Sequence, residues 1–220
     1  MPRPREFDIN DARDRALSLL WEKGYEATSL DDLCAATRLS RSSFYATFGS
    51  KRALLLQSVD RYIAQRTLRL AEILMTPGPV RSAFAALLAE FIDEIVSGAG
   101  RKGCFLGNCA AEIPRRDRAA HARVRRGLAQ NEATFRAALV RGQERGELAP
   151  DADVDALARF FVAGLQGLRL IGKSNPDRAV LEDVAATMLL CLDRAARPAE
   201  RKRRTSRERQ SAKARAVTRH

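Results

Sequence analysis

The sequence predicts an all-α protein of about nine helices, a short N-terminal bundle followed by a longer helical region. Three observations carry that expectation. Apolar residues recur at helical spacing in segment after segment of the 220 residues. Glycine and proline punctuate the segments at Gly24, Gly49, Thr76-Pro77-Gly78-Pro79, Pro114, Gly146 and Asn175-Pro176, where helices stop. Apolar residues make up 45% of the chain and charged residues 30%, the balance of a soluble globular protein with length enough for a sizeable core.

Residues 1–7 read as a basic, proline-containing flexible arm with Arg3 and Arg5. Residues 8–24 read as the first helix, capped by Asp8 or Asn10. Ala12, Ala16, Leu19 and Leu20 lie on its inner stripe, Trp21 is partly buried and Gly24 is the stop. Thr28 is placed as the cap of the next helix, and Asp31 and Asp32 suit its positive N-terminal end. That helix buries Leu30, Leu33, Cys34 and Ala36, and Thr37-Arg38-Leu39 is a turn.

Ser40 caps the following short helix. Phe44 and Phe48 lie four apart and share its inner face. The other face offers Arg41, Ser42, Ser43, Tyr45, Ala46 and Thr47, which are small, hydroxylic or basic. A helix lying in a DNA major groove needs such side chains, because acids there repel phosphates. Gly49 ends the helix, and Ser50-Lys51 opens the next with free N–H groups and an ammonium, a phosphate site.

This block resembles the DNA-binding domain of tetracycline-repressor (TetR) family regulators. The residues that carry the resemblance are Gly24-Tyr25, the run Thr28 to Leu33, and Ser40 to Lys51 with its Phe44-Tyr45 and Phe48-Gly49-Ser50-Lys51. It covers residues 8 to 60 closely. The resemblance implies a helix-turn-helix DNA-binding domain over residues 8–52 and a helical ligand-binding and dimerisation domain over 53–196. Phosphate contacts are expected from Thr28, Ser40, Arg41, Ser43, Tyr45 and Lys51, and base-edge contacts from Arg41, Ser42, Ala46 and Thr47.

Residues 51–75 form a long helix with Leu54, Leu55, Val59, Tyr62, Ile63, Leu70 and Leu74 inward. Only its first turn is expected to belong with the DNA domain, which makes it the only rigid link to a second core. A helix over 80–98 follows, with Phe84, Leu87, Leu88, Phe91 and Ile92 inward. The run Gly103-Cys104 to Asn108 and Ala111-Glu112 resembles a short helix in the electrophile- and acrylate-responsive subset of TetR regulators, with Cys104 and Asn108 on one face.

Arg115 to Arg145 reads as a charged helix whose arginines form a solvated face. Helices over 152–171 and 178–196 are apolar over more than one stripe and need a partner surface, and Gly164 and Gly167 admit a close backbone approach. The family resemblance implies a homodimer through this pair as a four-helix bundle.

The net charge of +12 favours a polyanionic partner, but residues 197–220 hold ten Arg/Lys against two Glu, a net of +8, so the body is only mildly basic. That tail is too polar to fold alone and reads as disordered. Cys34, Cys104, Cys109 and Cys191 match no zinc spacing, and His121 and His220 add no ligand cluster, so no cofactor is expected. With no transmembrane-length apolar run and no signal peptide, a cytoplasmic chain with reduced thiols is expected. An enzyme is not expected, because there is no glycine-rich phosphate loop and no nucleophile–base pair.

The expected function is a sequence-specific transcriptional regulator, a repressor that binds double-stranded operator DNA as a homodimer and is released by a small-molecule inducer. Tyr62, Phe84, Leu88, Phe91, Cys104, Phe105, Asn108, Phe135 and Phe161 are the expected inducer-pocket residues. Two alternatives stand beside it: an architectural DNA-binding protein without a ligand, and a repressor that senses oxidants or electrophiles through the Cys104 thiol.

Overall fold

In the first helix, α1 (Ile9–Lys23), the carboxylate of Asp8 takes the free N–H of Asn10 at 2.7 Å, and Gly24 ends the helix at φ +87°. The computed structural model describes residues 8–196, so the expected arm at 1–7 and the tail at 197–220 lie outside the described residues. Within them the chain forms nine α-helices and one 3-10 turn. There is no β-strand among them, only an isolated bridge between Leu148 and Ala196. No helix there is long and apolar enough to cross a membrane.

The second helix, α2 (Leu30–Thr37), starts from a capping box rather than from Thr28. Ser29 Oγ accepts from the Asp32 N–H at 3.1 Å, and the Asp32 carboxylate accepts from the Ser29 N–H at 2.7 Å. Thr28 is buried, and its hydroxyl donates to the Gly24 carbonyl at 2.5 Å. Arg38, at φ +60°, makes the turn expected at residues 37–39. The third helix, α3 (Arg41–Phe48), is capped by Ser40 and ended by Gly49. Eight residues are too few for a stable helix alone. Phe44 and Phe48 hold it to the body, both almost fully buried, each contributing about 2 kcal/mol of apolar burial.

The long helix α4 (Lys51–Leu74) is followed by α5 (Val80–Val96), the 3-10 turn Ala99–Lys102, α6 (Phe105–Glu112), α7 (Arg118–Glu144), α8 (Val154–Ser174) and α9 (Arg178–Ala195). Helix α7 starts three residues later than expected, because the Asp117 carboxylate caps it through the Ala120 N–H. Several of its arginines are cross-links rather than a solvated face. Arg123 and Arg126 pair with Asp60 on α4, Arg136 pairs with Asp155, and Arg141 donates to the carbonyls of Leu74 and Met75.

The core divides into two clusters, and the division does not fall at residue 52. The first joins α1–α3 to Leu54, Leu55, Val59, Tyr62 and Ile63 of α4, and to Cys104, Phe105, Leu106, Cys109, Ala120 and Val124. The second holds Leu70 and Leu74 with the inner faces of α5, α8 and α9 and the C-terminal part of α7. So four turns of α4, not one, pack with the helix-turn-helix.

Nor is α4 the sole link. Trp21 Nε1 donates to the Gly103 carbonyl at 3.2 Å, Lys102 pairs with Glu22 at 3.3 Å, Arg52 pairs with Asp117 at 2.7 Å, and the Glu112 carboxylate accepts the Glu26 N–H at 2.6 Å. The wider bracing follows from α6 being almost wholly apolar, which draws it into the first core.

Helices α8 and α9 leave Phe160, Leu170, Ile171, Val180 and Leu190 exposed, Leu170 at 71%. Gly164 meets the Met188 side chain instead of a second backbone, and Gly167 faces open space.

Candidate functional site

Two features stand out, one at each end of the first core. The outer one is the free face of α3. Arg41, Ser42, Ser43, Tyr45 and Ala46 are exposed, with Tyr45 at 51%, and Thr47 is half-buried. The face is continuous because Phe44 and Phe48 carry all of the helix's apolar anchoring from the opposite side. The Ser40 hydroxyl accepts from the Ser43 N–H and meets the hydroxyls of Ser42 and Ser43 at 3.0 and 2.9 Å.

Arg41 reaches back across the turn. Its Nη2 donates to both carboxylate oxygens of Asp31 at 2.8 Å, and its Nε to one of them at 3.0 Å. That carboxylate raises the guanidinium pKa, and both partners are solvent-exposed. At the start of α4, Ser50 caps through the Ala53 N–H, and the Lys51 ammonium lies 4.4 Å above the Tyr25 ring. Thr28 does not join this surface, since its burial takes its hydroxyl away from any phosphate.

The inner feature is a cavity of about 30 Å³ among α4, α5, α7 and α8 and the start of α6. Of the nine residues expected to line a pocket, Tyr62, Phe91, Cys104 and Phe135 do so. Phe84, Leu88 and Phe161 are solid core; the rings of Phe84 and Phe161 pack at 4.4 Å between centroids, leaving no space between them. Phe105 packs instead against Trp21 and Tyr62. Asn108 does not share the face of Cys104; its amide donates to the Lys102 carbonyl at 2.9 Å and closes the loop before α6.

The polar lining was not legible as such. Arg66, Asn131, Gln166 and Arg169 face the cavity beside Ile63, Leu70, Leu106, Val162 and Leu165. Arg169 Nη1 donates to the Tyr62 hydroxyl at 3.0 Å, and that hydroxyl donates to Cys104 Sγ at 3.8 Å. Burial pushes the Tyr62 phenol up to about 12. Burial likewise pushes the neighbouring Cys109 thiol up to about 12. A signal for Arg169 was present, because it continues the inward stripe of Leu165, Leu168 and Gly172.

A capped recognition helix with a short-chained polar face, backed by two phenylalanines and carried on a larger helical body, defines a helix-turn-helix DNA-binding regulator. Residues 13–57 match the model of the bacterial regulatory proteins of the tetR family, and residues 82–188 match the tetracyclin repressor-like C-terminal domain. The chain is 33% identical over 194 residues to the uncharacterized HTH-type transcriptional regulator YezE of Bacillus subtilis, covering 88% of this chain and 100% of that one. It is 34% identical over 189 residues to the HTH-type transcriptional repressor ComR of Escherichia coli, covering 85% and 90%. Its fold is similar to that of a cysteine-substituted TetR family regulator CifR complexed with 26-bp operator DNA. There the TM-score is 0.77 at 30% identity, over 85% of this chain and 98% of that one. The chain belongs to the TetR family of transcriptional regulators.

Proposed function

We propose that this regulator is a homodimeric repressor that reads a pseudo-palindromic operator with α3 of each protomer and is released by a small molecule entering the inner cavity. The observation that carries the reading is the outward face of α3. It is exposed, short-chained and free of acids from Arg41 to Thr47, as a helix seated in a major groove requires. Ser40, Ser43, Tyr45 and Lys51 are assigned to phosphates, Ser42, Ala46 and Thr47 to base edges, and Arg41 to either once it leaves Asp31. The exposed apolar residues of α8 and α9 support pairing of two protomers through those helices.

Release follows from where the cavity sits. It touches α4 at Tyr62 and Arg66 and the start of α6 at Cys104 and Leu106. These same elements hold the DNA-binding head through Gly103–Trp21, Glu112–Glu26 and Asp117–Arg52. At about 30 Å³ the cavity holds only two or three water-sized groups. A larger inducer therefore parts α4 from α6 and α8. It shifts the equilibrium to the extent that it binds this parted state better than the DNA-bound one.

Footprinting of the full chain on genomic fragments tests this reading. Two protected half-sites centred about 34 Å apart, or a whole-turn multiple of that, are expected. A single unpaired half-site contradicts the dimer.

A second reading rests on Cys104, which lines the cavity and accepts from the Tyr62 hydroxyl. In it, modification of the thiol replaces inducer binding. Loss of every inducer response in Cys104→Ser supports it, and intact responses remove it.

A further inference from the structure

Among the described residues, Arg169 is the only buried charged side chain, at 7% exposure. A buried arginine normally faces a carboxylate, because an uncompensated charge in the interior is costly. No carboxylate among the described residues pairs with this one. Its hydrogen bond goes to the neutral Tyr62 hydroxyl, and the Phe91 ring covers it at 4.3 Å from the centroid. The other cavity arginine, Arg66, is matched by Glu94 at 3.2 Å. The cavity thus carries one uncompensated positive charge. A guanidinium has five N–H donors in a planar fork, and one of Arg169's is given to Tyr62.

The rest of the lining narrows what could answer that charge. The amides of Asn131 and Gln166 face the same space and can donate to an oxyanion, while Ile63, Leu70 and Leu165 offer apolar wall. One unmatched charge suits a monoanion rather than a phosphate or a dicarboxylate. The planar fork suits a carboxylate. A volume for two or three water-sized groups suits a chain of two to four carbons.

We propose that the cavity is a carboxylate subsite in which Arg169 pairs with a small aliphatic monocarboxylate whose tail lies against Leu70 and Leu165. The proposal rests on the reading of this cavity as the inducer site, and it names the chemical class that site takes.

The test is calorimetric titration of the purified full chain with sodium propionate. Propionamide serves as the uncharged counterpart and sodium nitrate as a planar inorganic anion, at constant ionic strength. The wild type, Arg169→Met and Arg169→Lys are compared, with operator binding of each measured in parallel. Saturable propionate binding at one site per protomer is expected, with no propionamide binding and nitrate at least tenfold weaker. Arg169→Met weakens propionate by about thirtyfold or more. Arg169→Lys, which keeps the charge but not the fork, weakens it by a smaller factor.

Wild-type protein that binds its operator but not propionate overturns the subsite and leaves the regulator reading standing. So does propionate binding that is unchanged in both variants. Nitrate binding as tight as propionate overturns the carboxylate assignment. Propionate binding that depends on Arg169 but leaves operator affinity unchanged keeps the subsite and sinks release through this cavity.

Discussion

Arg41, the first residue of α3, is held in a bidentate ion pair by Asp31 on α2, with Nη2 2.8 Å from each carboxylate oxygen. The contact crosses the helix-turn-helix and occupies the most strongly basic group on the recognition face. Engagement of Arg41 with DNA requires giving it up. Because both groups are exposed, the exchange costs little, of the order of 1 kcal/mol or less. Asp31→Asn should therefore tighten DNA binding about three- to tenfold at fixed salt. If Arg41 then meets a phosphate, the slope of log K on log salt steepens by about 0.9. Weaker binding by Asp31→Asn would instead mean that Asp31 positions Arg41 for its contact.

The remaining α3 assignments separate by their effect on sequence preference. Lys51→Ala should weaken binding to operator and scrambled duplexes alike and reduce the salt slope by about 1. Thr47→Ala or Ala46→Ser should change which base is preferred at one position in each half-site, by about 1–3 kcal/mol of discrimination. A competition series of single-base operator variants measures both.

Gly24 sits at φ +87° and ψ +160°, a region open essentially to glycine alone. A β-carbon there would lie 2.9 Å from Oε1 of Glu112, the oxygen that accepts the Glu26 N–H. Gly24→Ala should destabilise the fold by about 1–3 kcal/mol, read as a drop of roughly 2–10 °C in Tm. Glu112→Gln removes the charge but keeps an acceptor, so it should cost less than Gly24→Ala.

Tyr62 gives a pH signature. Its folded pKa, about 12, lies above the ordinary phenol value of 10.0. Folding therefore favours the neutral form. The stability this contributes is full below about pH 10 and is lost as pH rises through about 12. In an absorbance titration at alkaline pH, one phenol should ionise only near pH 12, and Tyr62→Phe should delete that step. Ionisation of all three tyrosines by pH 10.5 in folded protein would contradict the burial of Tyr62.

The thiols should differ in reactivity. Cys34 and Cys191 are half-buried, whereas Cys104 and Cys109 are buried and burial pushes Cys109 up to about 12. Alkylation at neutral pH, followed by peptide mass mapping, should label Cys34 and Cys191 first and Cys109 last. Early labelling of Cys109 would show that α6 opens from the first core.

The DNA-facing half was legible because its signals are local. A cap at Ser40, the four-residue spacing of Phe44 and Phe48, and a stop at Gly49 define α3 without knowledge of any partner. The near miss at Thr28 has the same origin, since Ser29 lies one residue on and Asp32 completes its capping box. The cavity was only half legible, because a void depends on which stripes meet. Phe84 and Phe161 look like Phe91 and Phe135 in sequence, yet the first two fill the space that the others border. Arg169 was overlooked because a single arginine on an apolar stripe is most simply read as reaching solvent. The contacts of α6 to the DNA head join residues more than 80 positions apart, beyond any periodic signal.

The most direct measurement is a binding titration of the purified chain against the intergenic DNA upstream of its own gene, with scrambled duplex alongside at the same salt. Binding to the native fragment about 1000-fold tighter or more, with the preference lost in α3 face variants, is the predicted result. Equal and strongly salt-dependent binding to both duplexes, unaffected by those variants, would contradict sequence reading by α3 and favour an architectural role.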